Sequence, residues 1–218
     1  MHRCVTTHVK TRMLCVALVC GLAGSVSMLA TAGDLEKGFK PLFNGKDMSA
    51  FQLVKAPAET WSVEEGVIKC TGKPNGYFAT KQSYKNYILR LDFRFPEKAG
   101  NSGYLLNITG EHKVWPKCIE VQGHYNSVGT IFPAGGAKGP RPKVDKKALA
   151  KARKPAKEWN SIEIIVRDGA ITSILNGVKN FRKRAVHAQD GPNRIPIRRR
   201  ADRLQEYSDS GIAVGSEK

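Results

Sequence analysis

Residues 86–95 read NYILRLDFRF. Tyr87, Leu89, Leu91, Phe93 and Phe95 fall on one side of an extended chain, and Asn86, Arg90, Asp92 and Arg94 on the other. Strict period two over this length predicts a strand with one face in a core and one toward water. Working outward, residues 159–177, WNSIEIIVRDGAITSILNG, are two such runs joined at Asp168-Gly169. That dipeptide is a hairpin signal, because both central turn positions must accept positive φ. Residues 61–72, WSVEEGVIKCTG, turn in the same way at Glu65-Gly66. GYLLNI (103–108) and CIEVQGHY (118–125) are further short strands. Short strands separated by recurrent turn signals predict an all-β chain, an antiparallel β-sandwich.

The totals agree with one soluble domain: 218 residues, 41% hydrophobic and 25% charged. The net charge of +17 is unusual and directs attention to nucleic acid, an anionic surface or an acidic polymer. It is unevenly spread. Residues 1–32 carry three bases and no acid; residues 33–178 carry 23 bases and 14 acids; residues 179–218 carry ten and five. Residues 1–32 read as a signal peptide, with Arg3, Lys10 and Arg12 ahead of an apolar run from Met13 and Ala30-Thr31-Ala32 at its end. The rival reading is an uncleaved membrane anchor. An exported protein, periplasmic or extracellular, is expected, with no membrane contact after cleavage. Cys4, Cys15 and Cys20 leave with the leader. Cys70 and Cys118 remain, and export permits a disulfide between them without requiring one.

One segment departs from the β pattern. Residues 134–157, AGGAKGPRPKVDKKALAKARKPAK, begin as a Gly/Pro loop. Asp145 can then cap a short helix that runs to Lys151 or Arg153, and Pro155 stops it. Its bases lack interleaved aromatics, so nucleic acid is not expected as a partner. No nucleotide-binding glycine loop, G-x-S-x-G or H-E-x-x-H occurs, and neither a cofactor nor a metal site is expected.

The strand CIEVQGHY holds the candidate chemistry. Alternation puts Ile119 and Val121 on one face and Glu120, Gln122 and His124 in line on the other. Such a row is either a solvated sheet face or a site where Glu120 or His124 works as a general base or acid. Asn101, Ser102 and Gly103 turn into the strand before it; Trp115, Tyr125 and Trp159 are either sugar platforms or core plugs; His112 reads as an exposed loop residue.

A series of motifs in order adds a resemblance: GFKPLFNGKDMSAFQ (38–52), WSVEEGVIKCTGKPNGYFAT (61–80), YKNYILRLDFRF (84–95), NSGYLL (101–106), KVWPKCIEVQ (113–122), KEWNSIEIIV (157–166) and ILNG (174–177). Over about residues 38–178 the chain resembles the 3-keto-disaccharide hydrolase family of exported bacterial domains. The resemblance implies a concanavalin A-like jelly roll over residues 33–178 that acts on a keto-glycoside or oligosaccharide. A ketone at C3 acidifies the C2–H, so a base can take that proton while the C1 leaving group departs, and water then adds. That route needs one placed base, a donor for the enolate oxygen and an acid near the leaving oxygen. Glu120 and His124 are the expected catalytic pair, with Asn101, Ser102, Tyr104, Trp115, Gln122 and Trp159 binding substrate. The alternative is a carbohydrate-binding module without catalysis. Asn107 stands where the family pattern often has Arg.

The tail is the second departure. After ILNG the family closes with a motif like GxIxLQSEGxPIxFxNIRI, and residues 179–218 contain no such string. Instead residues 189–210 read QDGPNRIPIRRRADRLQEYSDS. Back-translated and read one nucleotide later with allowed codons, this stretch gives KTGQIGFQSEGAPIDYKNIRI, the missing motif. The expectation is a frameshift between about Gly177 and Gln189, a missing closing strand, and residues 179–218 as a disordered, aberrant basic tail. An inactive remnant would result if the shift is in the genome. The rival is a genuine basic tail for an anionic partner.

Overall fold

The computed structural model describes residues 38–139, 141, 144–184, 193–199, 205–208 and 213–215. The expected leader, residues 1–32, lies outside them. Two antiparallel sheets face each other. One contains β1 (Phe39–Pro41), β3 (Trp61–Glu64), β4 (Val67–Cys70), β6 (Tyr87–Arg94), β10 (Asn160–Arg167), β11 (Ala170–Leu175), β12 (Val178–Arg184), β14 (Gln205–Ser208) and β15 (Ala213–Gly215). The other contains, in spatial order, β2 (Phe51–Val54), β5 (Gly76–Tyr84), β13 (Asn193–Arg199), β7 (Ser102–Thr109), β8 (Lys117–Gln122) and β9 (Ile131–Ala134). A jelly-roll sandwich is what the alternating strands require, since each sheet must bury one apolar face.

The strand at 87–94 behaves as its pattern dictates. Tyr87, Leu89, Leu91 and Phe93 are buried, and Phe95 continues the row. On its outer side Arg90 meets Glu163 across the β6–β10 ladder at 2.6 Å, the expected cross-strand charge pair. The turns at Glu65-Gly66 and Asp168-Gly169 have positive φ at both residues, as the tight hairpins demand. The predicted helix is α1 (Lys146–Ala152). Asp145 Oδ1 accepts from the amides of Lys147 and Ala148, both at 3.0 Å, and Leu149 and Ala152 enter the core.

The tail corrects an expectation. Residues 193–199 are not disordered, and the closing strand is not missing. β13 pairs with β5 on one side and β7 on the other, so the sandwich extends well past residue 178. β14 then pairs with β4 and β6, and β15 with β6 and β1. The physical reason lies in Ile195-Pro196-Ile197. Both isoleucines are 1% exposed and fill the core with period two. Pro196 lacks an N–H, which argues against a central strand, but the ladder to β5 carries its irregularity between Arg194 and Pro196. There the Ile195 amide donates instead to Thr80 Oγ1 at 2.9 Å.

Cys70 and Cys118 are both buried and neither is in a disulfide. They sit in different sheets, Cys70 in the main core and Cys118 in a small apolar cluster on the outer face of the six-stranded sheet. A chain beginning at residue 33 is therefore expected to show no fast-reacting thiol toward a disulfide reagent when native, and two after unfolding. One disulfide and no titratable thiol would contradict this.

Candidate active site

The site is built on the β7–β8 ladder. Register sets Leu105 opposite Glu120 and Gly103 opposite Gln122, with Tyr104 opposite Val121 on the inner face. Beyond the ladder the Gly123 amide donates to Ser102 O at 2.9 Å and the Tyr125 amide to Gly100 O at 3.0 Å. That continuation places Asn101 opposite His124. Glu120, Gln122, Asn101 and His124 thus lie along one end of the β7–β8 ladder.

Glu120 is only 2% exposed, and its carboxyl lies over Gly103. A Cβ at position 103 would stand 2.2 Å from Glu120 Oε1, so glycine is the residue that lets the carboxyl occupy this place. The strand ends at Gln122, and His124 leaves the straight row that alternation predicted, because the chain turns through Tyr125–Ser127; Gly123 lies where a Cβ would meet the Ser102 backbone carbon at 2.6 Å. Gln122 Oε1 accepts from the His124 amide at 3.0 Å, which leaves its –NH₂ as the donor. His124 Nδ1 accepts from the Asn126 amide at 3.2 Å, so the neutral ring carries its proton on Nε2. Asn101 is 6% exposed, and its Oδ1 is buried without a hydrogen-bond partner.

Four expected binding residues fall elsewhere. Tyr104 is fully buried in the main core, on the inner face. Ser102 shares its parity, is fully buried and offers the site only its backbone carbonyl. Trp159 precedes β10 in the other sheet and lies under the Arg94 guanidinium at 4.7 Å. Trp115 is 43% exposed but precedes β8, at the end of that strand away from Gln122; the strand rise puts it roughly 20 Å from Gln122. Which face a residue takes, which sheet its strand joins and which end of the strand holds the site are invisible in a short motif. Tyr125 is likewise no open platform: its ring is flanked by Phe95 and by Arg153, whose guanidinium carbon is 3.8 Å from the centroid.

Sequence reasoning also missed neighbours on the same outer face. Phe132 on β9 pairs in register with Glu120, and the Arg141 guanidinium stands over its ring at 5.5 Å. Tyr77, fully buried, bonds through its hydroxyl to His112 Nδ1 at 2.9 Å. Burial pushes the Tyr77 phenol up to about 12. Desolvation of the engaged side of His112, with help from Arg194, holds its pKa below the usual histidine value. The signs follow. Tyr77 stabilises the fold fully below its unfolded pKa, about 10, and that contribution is lost as pH rises through about 12. His112 contributes above about 6.5, and that is lost as pH falls through its lowered folded pKa. Melting temperature should therefore be flat between about pH 7 and 10 and fall on both sides. His112→Gln should reduce the acid slope and Tyr77→Phe the alkaline one; unchanged slopes in both variants would contradict the assignment.

A family model described as a 3-keto-alpha-glucoside-1,2-lyase-like domain matches residues 38–208. Among solved structures, the chain resembles a presumptive glycosyl hydrolase from Parabacteroides distasonis at TM-score 0.62 and 21% identity, covering 83% of this chain and 94% of that one. It also resembles the carbohydrate-binding module CBM66 of Bacillus subtilis (0.55, 9%, 78% and 98%) and a Bacillus licheniformis β-glucanase (0.52, 10%, 83% and 97%). At these identities the likenesses establish the shared sandwich fold. Comparison with curated proteins finds no match.

Proposed function

Because the chain belongs to the 3-keto-alpha-glucoside-1,2-lyase-like family, we propose that it is an exported enzyme that cleaves 3-keto-glycosides, with Glu120 as the base. The observation that carries this reading is the gathering of Glu120, Gln122, Asn101 and His124 at one end of the β7–β8 ladder. Glu120 takes the C2 proton. The electrons of that C–H bond move into C2–C3 to give the C3 enolate, and its collapse restores the C3 carbonyl and forms the C1–C2 double bond as the bond from C1 to the leaving oxygen breaks. The leaving oxygen needs one proton, and the newly protonated Glu120 holds one to return. The Nε2–H of His124 steadies that oxygen by hydrogen bond, and the Gln122 –NH₂ supports the enolate oxygen at C3. Water then adds across C1=C2 and releases 3-keto-glucose. This sequence uses one carboxylate, unlike the paired carboxylates of ordinary glycosidases.

The test is incubation of the protein from residue 33 onward with a 3-keto-disaccharide, following 3-keto-glucose and the enone intermediate. Exchange of the C2 hydrogen in D₂O is expected to accompany cleavage. Cleavage without exchange would overturn the elimination route. The deep burial of Glu120 favours a second reading, a carbohydrate-binding module in which the carboxyl shapes the face. Tight binding of the same sugar with neither exchange nor cleavage would establish that reading.

A further inference from the structure

Residues 138–157 contain nine lysines and arginines and a single acid, Asp145, so twenty residues hold almost half of the chain's net charge. The structure ties both ends of this segment to the candidate site. At its start, Arg141 stands over Phe132, the register partner of Glu120. At its end, Arg153 covers Tyr125 and donates through Nη1 to Tyr125 O at 2.8 Å, one residue after His124. Between them α1 packs against the turn Tyr125–Ser127 through its apolar face and turns Lys146, Lys147 and Lys151 to solvent. Asp145 spends its carboxylate on the helix cap. Among the described residues, no ion pair neutralises Lys138, Arg141, Lys146, Lys147 or Lys151.

We infer that the natural substrate is an anionic carbohydrate: a 3-keto-glycoside whose second unit bears a carboxylate, read by Arg141 where it stands over Phe132 on the strand next to that of Glu120. This rests on the reaction proposed above for its keto-glycoside part, but not for the charge. An unneutralised cationic rim around one end of a sheet raises the local concentration of anions and speeds their capture. A guanidinium over an aromatic ring still has N–H groups to give to a carboxylate. The contact with Phe132 singles out Arg141 as the reader, and the neighbouring exposed lysines steer. Nucleic acid fits the charge less well, because among the described residues no row of exposed aromatics accompanies it for base stacking.

The experiment compares a 3-keto-glucobiose with the same molecule carrying a carboxylate at C6 of its unoxidised ring, by steady-state kinetics and by calorimetry. At low salt the carboxylated sugar is expected to have a KM lower by about tenfold, shrinking as added NaCl shortens the screening length. Arg141→Gln should collapse the ratio of the two KM values, and Arg141→Lys should restore part of it. Equal KM values for the two sugars, or a ratio untouched by Arg141→Gln and by salt, would overturn the inference while leaving the reaction intact. Turnover of neither sugar would sink the reaction. The calorimetric preference and its loss in Arg141→Gln would then still decide the question of charge. Binding of a short single-stranded DNA more tightly than the carboxylated sugar would overturn it in favour of nucleic acid.

Discussion

Glu120→Gln is expected to lower turnover of a 3-keto-disaccharide by about a thousandfold, within the range that a placed general base contributes. The substitution keeps the shape of a side chain that is 2% exposed and removes only its ability to take a proton. Ground-state binding should change little, so the loss belongs in kcat rather than KM. A carboxyl that served the fold alone would behave differently. Its neutralisation would shift the melting temperature and leave kcat for the remaining folded molecules near wild type. Gly103→Ala is the independent check on the same atom. The new methyl meets Glu120 Oε1 at 2.2 Å, so the carboxyl must leave its place over position 103. Loss of activity in that variant with the fold retained ties catalysis to where the carboxyl lies. Gly123→Ala supplies the contrast: there the methyl meets Ser102 backbone carbon at 2.6 Å, and the expected effect is on stability, about 1–3 kcal/mol.

Residues that face the core were legible in the sequence. Period two from Tyr87 to Phe95 fixed which side of β6 is buried, and the Gly-containing dipeptides placed two hairpins. The cap at Asp145 was legible because a side-chain oxygen ahead of a run of good helix formers has one strong use. Glu120 and Gln122 were legible for the same reason as Ile119 and Val121, since alternation assigns both faces of a strand at once. What sequence could not show is which strands become neighbours. His112 reaches Tyr77 across 35 positions because sheet order brings them together, and Phe132 meets Glu120 only because β9 pairs with β8. Trp159 was misplaced for the converse reason: its strand joins the other sheet. Proline at 196 argued against a strand on local grounds, and it was outweighed by two open ladders and two buried isoleucines.

That strand carries the second large expectation: ending the chain after Arg184 should leave no soluble folded protein. β13 is bonded on both sides, so its removal exposes the facing edges of β5 and β7 in the middle of a sheet. It also removes Ile195, Ile197 and Val214 from the core. At about 1.5–3 kcal/mol for each buried aliphatic side chain, that loss alone approaches the whole stability of an ordinary domain. The milder Ile197→Ala should cost about 2–5 kcal/mol and keep the protein soluble enough to measure. A truncated chain that melts cooperatively at the full-length temperature would show that the tail does not hold the sheet. The reading-frame expectation is tested in the same gene. Resequencing codons 170–215 asks whether a base was gained or lost, and a chimera carrying KTGQIGFQSEGAPIDYKNIRI in place of residues 189–210 asks what the sheet prefers. The chimeric string places Phe where Ile195 stands and Ser where Ile197 stands, and it has no proline within the paired stretch, so each ladder can bond without the irregularity at Pro196. A melting temperature several degrees higher in the chimera would favour the shifted frame as the one this fold was selected with. A lower one would make the arginine-rich strand the native closure of the sheet.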